Sequence, residues 1–425
     1  MSRMLVCMTM VMMFAGGVAA QTDTIRYVPE YRDPANEELR KLHEVRDEVR
    51  DSLTDLVKDR QEALKDFERD NEKWIKCDLS NIVRPQSPEA FESYFHFPPV
   101  RQYWTGTCWS FSGTSFLETE VYRINGIKVK LSEMYTVYWE WVEKARRFVA
   151  ERGKSSTSPG SETNGVFRTM KTYGAVPVEV YRGYIDDPRH DHEELDRQIR
   201  EYLGFVKEKG LWDESLVVNS VKQILNRHLG EPPVSFEYEG ATYTPKGFLD
   251  GVLKINPDDY VAIMSTLQIP FYTRGSFDVP DNWWYDSSYY NIPLDEWYAA
   301  LKGAIRKGYT TAIGGDISEA GLNGEDDVAV VPDFDIPQEF INQHSREYRM
   351  YNETTTDDHG IHIVGYANFD GRDWYLVKES SSRGYWGKFD GYMFYRDDYV
   401  RLKMMEFAVH KDAVPEILEK FTAAR

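Results

Sequence analysis

Cysteine is scarce in this sequence. Its 425 residues include only Cys7, Cys77 and Cys108, too few for the disulfide frameworks that hold small secreted domains together. With 41% hydrophobic residues, a chain of this length buries a sizeable core without covalent staples, so Cys77 and Cys108 are expected as free thiols. A membrane-spanning apolar run is also missing at the N-terminus: residues 4–14 fall short of the roughly 20 that a spanning helix needs. Basic charge is in deficit, with 51 Lys and Arg against 70 Asp and Glu, a net charge of −19. That balance argues against nucleic acid, whose phosphates require a basic footprint, and against anionic lipid. It favours solubility and cationic substrates. Neither a Walker nor a dinucleotide glycine pattern occurs, nor an internal repeat, and no cofactor is expected.

What is present begins with Arg3, the apolar run and then small residues ending at Ala19-Ala20. This predicts a secretory signal over residues 1–20, cleaved near Ala20, and export to a periplasm or the extracellular space. Residues 21–84 form a charged N-terminal segment. Within it, Leu39, Leu42, Val45, Val49, Leu53, Leu56, Leu64 and Phe67 mark one stripe of an amphipathic helix over residues 36–74, broken once at most and packed along the body by that stripe. Residues 85–425 read as the main domain.

Chemistry concentrates first in residues 102–111, Gln-Tyr-Trp-Thr-Gly-Thr-Cys-Trp-Ser-Phe. After Cys108 the apolar residues Trp109, Phe116, Leu117, Val121 and Ile124 recur with helical spacing, so Thr107 is a natural N-cap and Cys108 lies in the first turn. Unpaired amides and the helix dipole there favour thiolate over thiol. Gln102 carries an amide that can join the Cys108 N–H in stabilising an oxyanion.

A cysteine nucleophile needs a base. The alternating segment Asp358-His359-Gly360-Ile361-His362-Ile363 predicts a strand. His359 and His362 are three apart and face opposite sides, so both cannot meet Cys108. A second strand over residues 374–379 returns through Asp370-Gly371. If those two residues alone made the turn, Glu379 would lie opposite His362 rather than His359; a longer loop moves the register, and hairpin geometry leaves the assignment open. His190 and His192, near Asp186, Asp187 and Asp191, look like metal ligands on paper, but an exposed acidic helix start explains them and no metal is expected. The aromatic cluster at Trp283-Trp284 reads as packing.

The Gln102 to Cys108-Trp109 spacing resembles the nucleophile motif of papain-like cysteine peptidases, and the Thr-Gly-Thr-Cys-Trp core resembles the bleomycin hydrolase and aminopeptidase C branch. Leu131-Ser132-Glu133, Val176-Pro177, Leu229-Gly230-Glu231-Pro232-Pro233, Gly365 and Gly384-Tyr385-Trp386-Gly387 follow in the family's order. The resemblance implies an α+β papain-like two-lobe fold, with a helical lobe, an antiparallel β lobe and a helical insertion over about residues 195–290. It selects His359 as the base, six residues before Gly365. It places Glu379 where the family has an Asn that orients the imidazole, and Ser381 where the family has a shielding Trp. Gly160-Ser161 stands for a Gly-Gly pair whose backbone meets the peptide, and Trp109 and Asp358 complete the expected substrate-binding set. The implied activity is peptide-bond hydrolysis through an acyl-thioester, as an aminopeptidase. An endopeptidase of the same fold and a degraded peptide-binding homologue are the alternatives. The branch assembles into hexamers and fills its cleft with a long C-terminal tail. Here nine residues follow Val414-Pro415-Glu416, so an oligomer is not fixed by the resemblance.

Overall fold

In the computed structural model, which describes residues 33–73, 75–79 and 81–422, the chain divides into two units after Lys73. The expected signal segment lies outside the described residues. The described part of the first unit is one helix, Pro34–Asn71, started by Asp33, whose carboxylate accepts from the amides of Ala35 and Asn36, and by Pro34 at the first position. It is continuous. Taken by itself the helix buries none of its residues, and the stripe from Leu39 to Phe67 runs along one side of it. Pairs such as Arg40 with Glu37 and Glu44 lie on its solvated face, and each adds only tenths of a kcal/mol, roughly.

The second unit builds an α+β fold around two main apolar cores. Five helices, Cys108–Asn125, Glu133–Ala150, Thr163–Tyr173, Glu193–Lys209 and Glu214–Leu229, supply most of the first. Their inward residues include Phe116, Leu117, Val121, Trp141, Val142, Leu195, Ile199 and Leu225, all buried. Each such side chain contributes about 1.5–3 kcal/mol of hydrophobic burial, largely offset by the chain entropy that ordering removes. Ser132 caps its helix as expected, its Oγ accepting from the Tyr135 amide at 3.0 Å.

The second core lies against an 11-stranded sheet. Its central run, in spatial order, is Tyr260–Met264, Met404–His410, Thr311–Gly315, His359–Phe369, Arg372–Lys378 and Tyr392–Arg396, each antiparallel to its neighbour. Helix Leu294–Arg306 buries Trp297, Leu301 and Ile305 there. The stretch expected as a helical insertion is helical only in its first part. Beyond Leu253 it returns to the sheet as Tyr260–Met264, Thr273–Gly275 and Tyr289–Asn291. Trp283 is buried and its Nε1 donates to Glu140, as packing requires. The final described helix, Pro415–Thr422, lays Ile417, Leu418 and Phe421 on the sheet core. Among the described residues no helix is long and apolar enough to cross a membrane.

Candidate active site

Cys108 is the first residue of its helix. Thr107 occupies the N-cap position, but its hydroxyl makes no capping bond; it pairs instead with Thr105 Oγ1 at 2.7 Å. The capping amides are therefore not drawn off by that side chain, and the positive end of the helix remains directed at the thiol. The helix lies against the strand His359–Phe369 because Gly360 has no side chain. A Cβ there would stand 3.4 Å from Trp109 Cα and 2.9 Å from Ser112 Oγ. Among the described residues Cys77 and Cys108 are free thiols, as expected.

His359 opens that strand and is buried. Its Nε2 donates to Glu379 Oε1 at 2.5 Å, and the ring also hydrogen-bonds the Cys108 side chain. With Nε2 committed to the carboxylate, Nδ1 is the nitrogen left for sulfur. Burial pulls the imidazole pKa down, yet the charges of Glu379 and Cys108 and their hydrogen bonds outweigh it, and the result lies well above the usual histidine value. Burial likewise pushes Glu379 up, but the imidazolium and the Ser381 amide, which donates to Oε1 at 2.7 Å, bring it below the usual carboxylate value. The arrangement sets a protonated imidazole beside the Cys108 sulfur with a carboxylate behind it.

Glu379 reaches His359 because the hairpin is irregular. From Phe369 paired with Arg372 back to Gly365 paired with Leu376 the register is that of a two-residue turn. Val364 is then an extra residue: Ile363 pairs with Val377, and Lys378, not Glu379, stands opposite His362. A one-residue slip sends a side chain to the other face of the sheet. Lys378 consequently lies on the His362 side, where its Nζ donates to Ser115 Oγ at 2.5 Å and Ser115 Oγ meets His362 Nδ1 at 2.9 Å. Burial and the Lys378 charge hold His362 well below the ordinary histidine value, so it is a neutral, structural residue beneath the Cys108 helix.

Gln102 is buried, and its amide is oriented. Ser380 Oγ donates to Gln102 Oε1 at 2.7 Å, and the Gln102 N–H donates to the Ser380 carbonyl at 2.9 Å. The carbonyl end being occupied, the NH2 end has no partner among the described residues. Tyr103 next to it holds a left-handed φ of 54°, a conformation that costs about 1–2 kcal/mol for a side chain of this kind. The surrounding pairs hold it: Trp104 N donates to the His190 carbonyl at 3.0 Å and His192 N to the Trp104 carbonyl at 2.9 Å. The His-x-His segment is thus a brace for the Gln102 loop, and His192 is buried rather than exposed as expected. Among the described residues no group of His, Cys, Asp and Glu is arranged to hold a metal.

Three of the expected substrate-binding residues, Trp109, Ser161 and Asp358, line one small cavity of about 20 Å³ that reaches Cys108. Trp109 and Ser161 line one wall, Asp358 and His359 the other. Trp109 Nε1 donates to the Pro159 carbonyl at 3.1 Å, tying down the loop before Gly160. The Gly160 carbonyl accepts from Lys144 Nζ. Ser161 donates to Glu140 Oε1 at 2.5 Å and has no left-handed backbone, so the loss of the second glycine costs no strain. Asp358 is exposed and turns to the 317–318 loop, accepting from Ile317 N at 2.9 Å and from Ser318 Oγ.

Sequence reading missed Ser380, although it follows Glu379 directly, and missed four acidic residues of the cavity wall: Glu162, Asp281, Asp357 and Glu406. Glu406 left one visible signal, a carboxylate inside the otherwise apolar strand segment Met404-Met405-Glu406-Phe407-Ala408-Val409.

No protein-family model matches the chain, and no curated protein matches it. Among solved structures it is similar to PepW from Lactobacillus rhamnosis HN001, with a TM-score of 0.64 and 17% sequence identity over 88% of this chain and 94% of that one. At that identity the likeness is one of fold.

Proposed function

We propose that the protein is a papain-like cysteine peptidase with a two-lobe fold, Cys108 as nucleophile, His359 as base and acid, and Glu379 as the group that orients and charges the imidazole. The hydrogen-bonded series Cys108, His359, Glu379, with burial around His359 and Glu379, carries this reading. The fold likeness to PepW and the order of the sequence motifs support it. The Cys108 thiolate attacks the peptide carbonyl, and the oxyanion takes hydrogen bonds from the Cys108 amide and the Gln102 NH2. His359 gives its proton to the leaving amine and then draws one from water, which hydrolyses the thioester. Trp109, Gly160, Ser161 and Asp358 border the acyl side of the substrate.

The mode is that of an aminopeptidase of bleomycin hydrolase type, by the Thr-Gly-Thr-Cys-Trp core and the motifs after it, acting after export and cleavage near Ala20. Labelling with a thiol-reactive epoxide peptide tests the nucleophile: adduct on Cys108 in the folded protein is expected, and labelling only after denaturation would favour a degraded, peptide-binding homologue. Fluorogenic peptides with free and blocked N-termini test the mode. Equal turnover of the two would replace the aminopeptidase with an endopeptidase.

A further inference from the structure

Four buried or half-buried carboxylates line the cavity beside Cys108, together with the His359 ring. Glu162 comes from the start of helix Thr163–Tyr173, Asp281 from the loop before Trp283, Asp357 from the residue two before His359, and Glu406 from the strand Met404–His410. None of the four forms an ion pair with a lysine or arginine of the described residues. Glu162 and Glu406 are more than nine-tenths buried, and Glu162 Oε1 and both carboxylate oxygens of Glu406 have no hydrogen-bond partner in good geometry. Gly314 keeps the floor open: a Cβ there would stand 3.0 Å from Glu406 Oε1 and 3.1 Å from Asp357 Oδ1. Asp281 presses so closely on Gly160 that a Cβ at 160 would lie 2.1 Å from its Oδ2.

Leaving carboxylates buried and unpaired costs several kcal/mol, roughly, unless they hold protons or meet a cation. We propose that this cavity is a cation-recognition subsite that takes a substrate ammonium group, either the free α-amino terminus or a lysine side chain, within a residue or two of the scissile carbonyl. This deepens the peptidase reading and rests on Cys108 being the nucleophile. Four carboxylates arriving from four segments suit a compact ammonium, whose donors spread in several directions, better than a flat guanidinium. The two ammonium sources share that chemistry and differ only in how the peptide lies.

Burial pushes Asp357 up to about 7, helped by Asp281 and Asp358 and opposed by Glu162 and His359. Burial raises Glu162 and Glu406 well above the ordinary range, with Asp357 repelling both, and raises Asp281 against the pull of Lys144. A bound ammonium replaces these protons as counter-charge. Binding near neutral pH is then accompanied by proton release.

The test separates this inference from the peptidase reading by measuring binding without turnover. The Cys108→Ala protein is titrated calorimetrically with acetyl-lysyl-alaninamide, acetyl-norleucyl-alaninamide and norleucyl-alaninamide with a free N-terminus. At least tenfold tighter binding of the first identifies the side-chain source, and of the third the α-amino source. Heats that vary with buffer ionisation enthalpy report the released proton. Glu406→Gln, and separately the less buried Asp281→Asn, are expected to cut the ratio of cationic to neutral affinity at least fivefold. Equal affinity for all three peptides, or a ratio unmoved in both variants, overturns the subsite whether or not the wild-type protein cleaves peptides. Conversely, selective ammonium binding by a protein whose Cys108 stays unlabelled leaves the subsite standing and removes the peptidase.

Discussion

Ser380 and Gln102 are joined twice, by the Ser380 hydroxyl to the Gln102 side-chain oxygen at 2.7 Å and by the Gln102 amide to the Ser380 carbonyl at 2.9 Å. The first bond decides which end of the Gln102 amide is left free, the NH2 that the proposed mechanism assigns to the oxyanion. Ser380→Ala is expected to lower kcat about fivefold with little change in KM, the factor that roughly 1 kcal/mol of hydrogen bonding represents. Gln102→Ala is expected to cost about 10²–10³ in kcat. Steady-state kinetics on one fluorogenic peptide check both, and a Ser380→Ala loss as large as that of Gln102→Ala would argue against an orienting role.

The Glu379 charge raises the His359 pKa. The reactive ion pair survives upward in pH until the imidazolium loses its proton. Removing the charge lowers that pKa, so Glu379→Gln is expected to move the alkaline limb of kcat/KM about one unit or more toward lower pH and to reduce the plateau about tenfold or more. A pH–rate profile with an unmoved alkaline limb would deny Glu379 its part.

The two histidines divide the work. His359→Ala is expected to abolish turnover, to slow alkylation of Cys108, and to cost stability as well, because it leaves Glu379 buried without its partner. His362→Ala leaves Ser115 and Lys378 around a buried void beneath the Cys108 helix and is expected to cost about 2–4 kcal/mol of stability while alkylation of Cys108 by iodoacetamide persists. Urea unfolding and labelling kinetics, run on both variants, distinguish these outcomes. The reverse pattern would exchange their roles.

Glu406 tests the cavity from the side of stability. Its pKa is raised by burial and by Asp357, so the folded state holds a proton that the unfolded chain releases near pH 4.3, about the ordinary glutamate value. Stability from this group is fully present below that pH and is lost as pH rises toward the folded pKa. Glu406→Gln removes the penalty: it is expected to be more stable than the wild type by about 1–3 kcal/mol at pH 8 and no more stable at pH 4.5. Urea midpoints at the two pH values check this, and an equal gain at both would count against the titration.

The local patterns of the chain determined a good deal by themselves. Helical spacing after Cys108 placed the thiol on a helix start, alternation around His359 and His362 placed both on a strand, and the Asp370-Gly371 pair placed the hairpin turn, because each of these is set by residues adjacent in sequence. A register is not local in that sense. The extra residue at Val364 that swings Glu379 to His359 leaves no mark in the alternation of the segment, so hairpin geometry left open which histidine meets the cysteine and only the family resemblance chose His359. Thr107 was misjudged as a side-chain cap for a related reason: its hydroxyl had the choice of Thr105, which only the folded loop presents. The acidic cavity is the furthest from local pattern. Its carboxylates come from positions 162, 281, 357 and 406, each unremarkable beside its chain neighbours in a sequence with 70 acidic residues. The tertiary structure alone brings them around the space next to Cys108, where burial with fewer positive groups than carboxylates turns four ordinary side chains into one site.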